Sequence, residues 1–295
     1  MSRNASPRFT AERQHRTFTD SHSVVVHYYV WTPAKPKAIV QLAHGVGEHA
    51  LRYEMLAQAL VAAGYAVYAD DHRGHGATGV EYWKGDLSKI GKLGLGGLRA
   101  TQQNVLELTA LAKAEFPAVP FVMLGHSWGS LMVQNLLNHG AHPWSAVVLT
   151  GTALRTPLDM NGGDLNARHK HLGDTGAEWL SRDPAVSRTF ADDPLTTDAK
   201  VLQLFGVVDG LRLFGTPRRV QPPVPLLIMV GDDDPLGGEK SAKKLADAYL
   251  GRGALTDVEL IVYAGARHEI FNETNQAEVR ADLIAWLEDR LFASK

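Results

Sequence analysis

The amino-acid sequence predicts an α/β fold in which helices flank a mostly parallel central sheet. Two observations favour this fold. Short apolar runs alternate with helical patterns over most of the chain, and residues 125–129 form a Gly-x-Ser-x-Gly pattern between one such run and a helical pattern. The alternation stops between residues 151 and 222 and then resumes, which indicates an insertion after a central strand.

The first half of the chain supplies a hairpin and then strands that alternate with helices. Residues 18–31 are rich in β-branched and aromatic side chains around a polar turn, which predicts the hairpin. Strands are predicted at residues 38–43, 65–69 and 146–150 and directly before residue 125, and helices at residues 53–63 and 98–116 and after residue 128. The glycine-rich residues 77–97 are predicted to form a loop.

The second half contains the insertion and the last strands of the sheet. Helical pieces are predicted around residues 177–180 and 198–214, and the second is apolar nearly all round, which is typical of a buried helix or one that faces an apolar ligand. Strands at 226–230 and 258–263 and helices at 238–250 and 276–292 follow. We therefore expect an α/β core from residues 17–150 and 223–295, a helical cap insert at residues 151–222, and a flexible leader at residues 1–16.

Composition bounds the function classes. Of the 295 residues, 45% are hydrophobic and 21% charged, with a net charge of −2 and no basic tract, so nucleic acid is not expected as a partner. The chain has no cysteine, which excludes disulfides, thiolate metal sites and a cysteine nucleophile. The leader lacks the apolar segment of a secretory signal, and no run of about 18 apolar residues predicts a membrane span. A cytoplasmic location is expected.

The Gly-x-Ser-x-Gly pattern predicts a nucleophile elbow. A turn that tight strains the serine backbone and leaves room only for small residues two positions to either side, where Gly125 and Gly129 stand. It would present Ser127 at the start of the next helix, where backbone N–H groups stabilise a developing negative charge. The alternative is a chance match in an ordinary turn.

A nucleophilic serine needs an imidazole as base and a carboxylate that orients it, in loops at the carboxyl ends of strands. The strand at 226–230 is followed by Asp232, Asp233 and Asp234, and the strand at 258–263 by His268. The residues alone leave open which aspartate serves, and a surface histidine is the alternative for His268.

Three motifs carry a family resemblance. His-Gly-Val-Gly-Glu-His at residues 44–49 with Arg52-Tyr53, Asp-His-Arg-Gly-His-Gly at residues 71–76 and the serine motif resemble the monoacylglycerol lipase and lysophospholipase branch of the α/β-hydrolase superfamily. The resemblance is weakest in the insert. It implies Ser127 as nucleophile, Asp234 as acid and His268 as base. It further implies an oxyanion hole from the backbone N–H groups of Val46 and Trp128, and no cofactor. Trp128 stands where many relatives carry methionine, which leaves the shape of the acyl pocket open.

Other polar residues have simpler interpretations. His44, His49, His72 and His75 suggest a metal cluster, but they lie in two glycine-containing turns, and no metal site is expected. His126 is interpreted as a packing residue. Glu48 is explained by its place at a helix start, where the helix dipole favours a carboxylate.

The predicted function is hydrolysis of carboxylic esters through an acyl-enzyme, on a monoacylglycerol, a lysophospholipid-like lipid or a medium-chain ester. The insert is expected to lie over the site as a lid, with transient contact between this cap and a membrane surface. A thioesterase, peptidase, C–C hydrolase or perhydrolase would share the same triad, and a non-hydrolytic receptor would share the fold. The oligomeric state is not predicted.

Overall fold

The computed structural model describes residues 11–140 and 142–293. The strands are β1 Gln14–Thr19, β2 Val25–Trp31, β3 Ala38–Ala43, β4 Tyr65–Asp70, β5 Phe121–His126, β6 Ala146–Thr150, β7 Leu226–Gly231 and β8 Val258–Tyr263. They form one sheet of eight strands in the order β1-β2-β4-β3-β5-β6-β7-β8. Strand β2 runs antiparallel to β1 and β4, and the remaining pairs are parallel. The predicted mostly parallel sheet is confirmed.

Helices cover both faces of this sheet. They are α1 Glu54–Ala62, α2 Gly76–Tyr82, α3 Gly97–Glu115, α4 Trp128–Leu137, α5 Pro184–Asp192, α6 Val201–Arg212, α7 Gly238–Gly251 and α8 Gln276–Phe292. Buried side chains of α3, α4 and α7 pack on one face, and those of α1 and α8 on the other. Consecutive residues of the central strands point to opposite faces, so Met123 joins the first cluster and Leu124 the second. Among the described residues, no helix has the length and apolarity needed to cross a bilayer.

Two assignments in the first half need correction. Gln14 to Arg16 were assigned to the leader but lie in β1, where they pair with β2; residues 1–10 of that leader lie outside the described residues. The predicted loop at 77–97 is helical at its start, because residues from Gly76 to Tyr82 form α2. Its glycines hide the helical pattern, and a carboxylate from the preceding loop supports the helix: Asp71 accepts the N–H of Ala77 at 2.7 Å.

The segment between β6 and β7 also differs in detail. Residues 177–180 form a turn, and the helix begins only at Pro184, where Asp183 caps it by accepting the N–H of Ala185 at 2.9 Å. The second predicted helix exists as α6 but is kinked at Gly206, with φ 79°. Its apolar side chains are not all buried: Leu202, Val207, Val208 and Leu211 are 60–64% exposed. Of the two predicted alternatives, a buried helix and a helix that faces an apolar ligand, this exposure argues against the first.

Candidate active site

The turn between β5 and α4 has the geometry of the predicted elbow. Ser127 lies at φ 52° and ψ −124°, a strained region for a residue with a Cβ. A Cβ on Gly125 would lie 2.7 Å from the Cα of Ser130, and one on Gly129 would lie 2.1 Å from the carbonyl oxygen of Ala43. Both glycines are therefore required by close backbone approach. The Ser127 N–H donates to the carbonyl of Thr150 at 2.9 Å, which ties the elbow to β6.

The loops after β7 and β8 bring a carboxylate to an imidazole. His268 Nδ1 lies 2.9 Å from Asp234 Oδ1, and both residues are at most 2% exposed. The same Asp234 oxygen accepts the N–H of Leu236 at 2.8 Å, which fixes the carboxylate. The other two aspartates are used elsewhere: Asp232 accepts the N–H of Gly265, and Asp233 pairs with His169. Of the three candidates, Asp234 is the one in contact with His268.

The imidazole lies beside the elbow without a hydrogen bond to its serine. The rings of His268 and His126 are 4.9 Å apart between centroids, and His126 directly precedes Ser127. His268 Nε2 is buried and has no hydrogen-bond partner within residues 11–140 and 142–293. The structure therefore joins His268 to Asp234 and leaves Ser127 unbonded to that pair. In serine hydrolases without substrate this hydrogen bond is often long and tightens as the substrate binds.

The charges around His268 favour its protonated form. Burial lowers the pKa of His268, but the negative charge and hydrogen bond of Asp234, with smaller contributions from Glu269 and Glu48, outweigh burial and raise it above the ordinary value. Neighbouring His126 has the opposite balance, because burial and the positive charges of His268 and Arg52 lower its pKa well below the usual value. His268 is therefore the more basic of these two neighbouring imidazoles.

The two predicted oxyanion amides lie in loops that begin side by side. Ala43 of β3 pairs with Gly125 of β5, so the loop with Val46 and the elbow leave the same edge of the sheet. A Cβ on Gly45 would lie 2.9 Å from the Cβ of Ser127, which shows how closely this loop approaches the serine. Trp128 is the first residue of α4, so its N–H has no acceptor within the helix.

Three of the four histidines that suggested a metal cluster, His44, His72 and His75, pack together next to Trp128, whereas His49 pairs with Asp193. His44 Nε2 accepts the N–H of His72 at 3.0 Å, and the two rings stack with centroids 4.1 Å apart. Burial lowers the pKa of His44 well below its usual value and that of His75 to about 3. The rings of His72 and His75 lie 5.3 and 5.2 Å from that of Trp128. We interpret His44 and His75 as neutral packing residues.

Sequence reasoning missed a buried ionic network next to the site. Glu48 accepts the N–H of Gly45 at 2.6 Å and the hydroxyl of Tyr53 at 2.7 Å, and Arg52 bridges Glu48 at 3.3 Å and Glu269 at 2.6 Å. Burial, together with the charge of Glu269, raises the pKa of Glu48 against the opposing effect of Arg52. The network ties the loop that carries Val46 to the residue after His268. The spacing of Glu48 and Arg52, four residues apart, was the available signal.

We expect Glu48→Gln to lower kcat for a soluble ester by about 10- to 100-fold with little change in KM, because the loop of Val46, whose N–H is a predicted oxyanion donor, loses its fixed position. Removing this negative charge should also lower the pKa of His268 and move the acidic limb of the rate profile to lower pH. Steady-state kinetics across pH would measure both effects. Glu239→Gln, in an exposed pair with Lys243, is the control. A loss of stability with kcat and the acidic limb unchanged would contradict a positioning role.

Together, the strand order, the strained serine between β5 and α4 and the Asp–His pair at the same sheet edge define an α/β-hydrolase fold. Residues 34–275 match the family described as serine aminopeptidase, S33. The chain belongs to this family and, within it, to the monoacylglycerol lipase branch, since it is 33% identical to a monoacylglycerol lipase of Mycolicibacterium smegmatis over 96% of this chain and 99% of that one.

Two further comparisons agree with this assignment. The chain is 26% identical to the Homo sapiens monoglyceride lipase, over 98% of this chain and 97% of that protein. Among solved structures, a highly thermostable carboxyl esterase from Bacillus coagulans, in complex with glycerol, superposes with a TM-score of 0.82 and 26% identity, covering 95% of this chain and 99% of that one. The resemblance found in the sequence is confirmed.

Proposed function

We propose that this enzyme hydrolyses the ester bond of monoacylglycerols through an acyl-enzyme on Ser127. That it is a carboxylic ester hydrolase follows from its family and from relatives such as the two monoacylglycerol lipases above, which it matches over nearly their full length. The observation that carries the proposal is the buried Asp234–His268 pair beside a serine in a strained elbow. A peptidase is named in the family description, but the relatives that span the chain favour the ester.

The reaction follows from the hydrogen-bond pattern. Because His268 donates its Nδ1–H to Asp234, Nε2 carries the lone pair that accepts the proton of Ser127 as Oγ attacks the ester carbonyl. The N–H groups of Val46 and Trp128 stabilise the tetrahedral oxyanion. His268 returns the proton to the departing alcohol, which leaves acyl-Ser127. The imidazole then deprotonates a water that attacks the acyl carbon, and Ser127 regains a proton as the carboxylic acid leaves.

We propose further that the segment between β6 and β7 acts as a cap that bounds the acyl pocket over the core. The ring of Trp179 lies 4.7 Å from that of His268, and the ring of Phe205 lies 4.7 Å from that of Trp128. The backbone of this segment also holds the loop of His268, because Glu269 donates its N–H to the carbonyl of Leu180 at 2.8 Å. Apolar side chains from the cap thus approach both the base and the elbow, where an acyl chain would lie.

An acyl-chain series tests the substrate. With purified protein, kcat/KM for p-nitrophenyl esters and 1-monoacylglycerols should rise from acetate to medium-chain acyl groups, because each added buried methylene contributes about 0.8 kcal/mol to binding. Free fatty acid and p-nitrophenol release are the measurements. A flat profile would contradict the acyl pocket. Turnover of aminoacyl amides without release from monoacylglycerols would replace the lipase proposal with a peptidase.

We propose that the exposed apolar face of α6 makes transient contact with a lipid surface, since the lipid substrate of the enzyme resides there. The double substitution Val207→Ser and Leu211→Ser should reduce co-sedimentation with phosphatidylcholine vesicles that contain monoolein by about tenfold, while kcat/KM for p-nitrophenyl butyrate stays within about twofold. The same substitution type at exposed Leu250, on α7, is the control. Equal vesicle binding by the double variant would refute the contact. The cytoplasmic location stays a prediction.

A further inference from the structure

A cavity of about 720 Å³ lies between α3, α4 and the residues that follow α6. Four arginines line it, Arg99, Arg155, Arg212 and Arg218, and no aspartate or glutamate does. It shares no residue with the candidate active site. We propose that this cavity, here called the arginine cavity, is a binding site for a phosphate ester.

Arg155 is the buried anchor of the arginine cavity. It is 1% exposed, and its guanidinium donates to Gln134 Oε1, Asn135 Oδ1 and the carbonyl of Leu213 at 3.2, 3.3 and 2.8 Å. None of these acceptors is charged, and within the described ranges Nη2 has no partner at all. A buried guanidinium without a carboxylate or another anion is unfavourable, and burial accordingly lowers the pKa of Arg155. A bound anion would compensate this charge.

Gly215 packs next to the unpaired Nη2 of Arg155. It lines the cavity, and a Cβ at this position would lie 3.2 Å from Nη2 and 3.4 Å from Nη1 of Arg155. Its φ of +155° lies in a region that side chains other than glycine rarely adopt. The missing side chain lets Gly215 pack closely against the guanidinium where both residues line the cavity.

The remaining arginines differ in their partners. Arg212 is paired with Asp209 at 2.5 Å, and the other oxygen of that carboxylate accepts the N–H of Leu98 at 2.9 Å. Arg99 and Arg218 are exposed and have no carboxylate partner in the part of the chain that the structure describes. The cavity therefore joins one buried and two exposed guanidinium groups that lack a counter-charge. Guanidinium groups that line one cavity suit the oxygens of a phosphate, which they can bind with paired hydrogen bonds.

The size and the other lining residues indicate a ligand larger than inorganic phosphate. Neutral polar side chains share the wall, namely Gln102, Gln103, Asn135, Asn138 and Thr216. Amide groups of this kind suit the hydroxyl groups of a polyol attached to the phosphate. A free phosphate monoester and the headgroup of a phospholipid share this chemistry.

Titration of the full-length protein tests the site. Isothermal calorimetry with glycerol 3-phosphate and separate co-sedimentation with phosphatidylglycerol vesicles form the two arms, and Arg99→Gln combined with Arg218→Gln is the main variant. We expect affinity in at least one arm to fall by roughly tenfold in this variant and to decrease with added salt. Binding in the calorimetric arm assigns a free ester, and vesicle binding without it assigns a headgroup where the Arg99/Arg218 variant loses that binding, since contact through α6 would survive in this variant. Arg188→Gln combined with Arg252→Gln, two exposed arginines on other elements, is the matched control and should bind like the wild type.

Because Arg155 is buried, its loss would affect folding, so Gly215→Ala provides a second variant that narrows the cavity without changing charge. It should weaken binding, and because alanine rarely adopts this φ the melting temperature should also fall, so binding is measured well below the unfolding transition. Absence of wild-type binding in both arms, up to about 10 mM ligand, would overturn the proposal. Unchanged affinity in the Arg99/Arg218 variant, or an equal loss in the Arg188/Arg252 control, would also overturn it.

Discussion

Replacing Ser127 with alanine should lower ester turnover by about 10⁴-fold or more, because no other hydroxyl stands at the elbow to form the acyl-enzyme. The backbone at φ 52° is strained equally for serine and alanine, so the melting temperature should change little. The measurements are kcat for p-nitrophenyl butyrate and the thermal unfolding curve. A fluorophosphonate probe should add one adduct to the wild-type protein and none to the variant.

Ser130→Ala is the matched control for this experiment. Ser130 lies one turn along α4, and its hydroxyl donates to the carbonyl of Ser127 at 2.6 Å and lies 2.8 Å from the hydroxyl of Thr152, which can donate to it. Because these contacts of Ser130 are local and structural, Ser130→Ala should keep its activity within about tenfold of wild type. Residual activity above about a hundredth in Ser127→Ala, or labelling of Ser130 by the probe, would contradict the assignment of the nucleophile.

The parallel sheet and the elbow were predictable because local pattern determines them. Each central strand is an apolar run buried on both faces, and close backbone contacts require both glycines, Gly125 against the start of α4 and Gly129 against the end of β3. Helix α2 escaped prediction because its two glycines weaken the local helical pattern, while Asp71, in the loop before it, accepts the N–H of Ala77 in its first turn. The prediction of a helix around residues 177–180 was wrong, because the local helical pattern is weak and these residues form a turn instead.

The choice among three aspartates shows a second limit of sequence reasoning. Asp232, Asp233 and Asp234 are adjacent, so only long-range contacts distinguish them, and the family resemblance rather than the pattern singled out Asp234. The Glu48–Arg52–Glu269 network was missed for the same reason, since Glu269 is 217 residues from Arg52. Exposure of the apolar face of α6 could not be predicted either, because hydropathy does not report which elements pack nearby.

Asp234→Asn should reduce kcat/KM by about 10⁴-fold, since an amide in place of the carboxylate no longer holds the Nδ1–H tautomer of His268. Its pH dependence should shift as well. The charge of Asp234 helps to raise the pKa of His268 against burial, so its removal lowers that pKa and moves the acidic limb of the remaining activity to lower pH. The lower pKa leaves more neutral imidazole but does not restore the rate, because the lone pair is then on the wrong nitrogen.

The neighbouring aspartate supplies the control that makes this result specific. Asp232→Asn alters a side chain that accepts the N–H of Gly265 and touches neither His268 nor the elbow, so kcat/KM should stay within about threefold of wild type. Both variants would be assayed for p-nitrophenyl butyrate from acid to alkaline pH beside their unfolding curves. A large loss in Asp232→Asn with Asp234→Asn nearly unaffected would move the acid to the other carboxylate. A large loss in both would show that the loop after β7 acts through its fold rather than through one charge on His268.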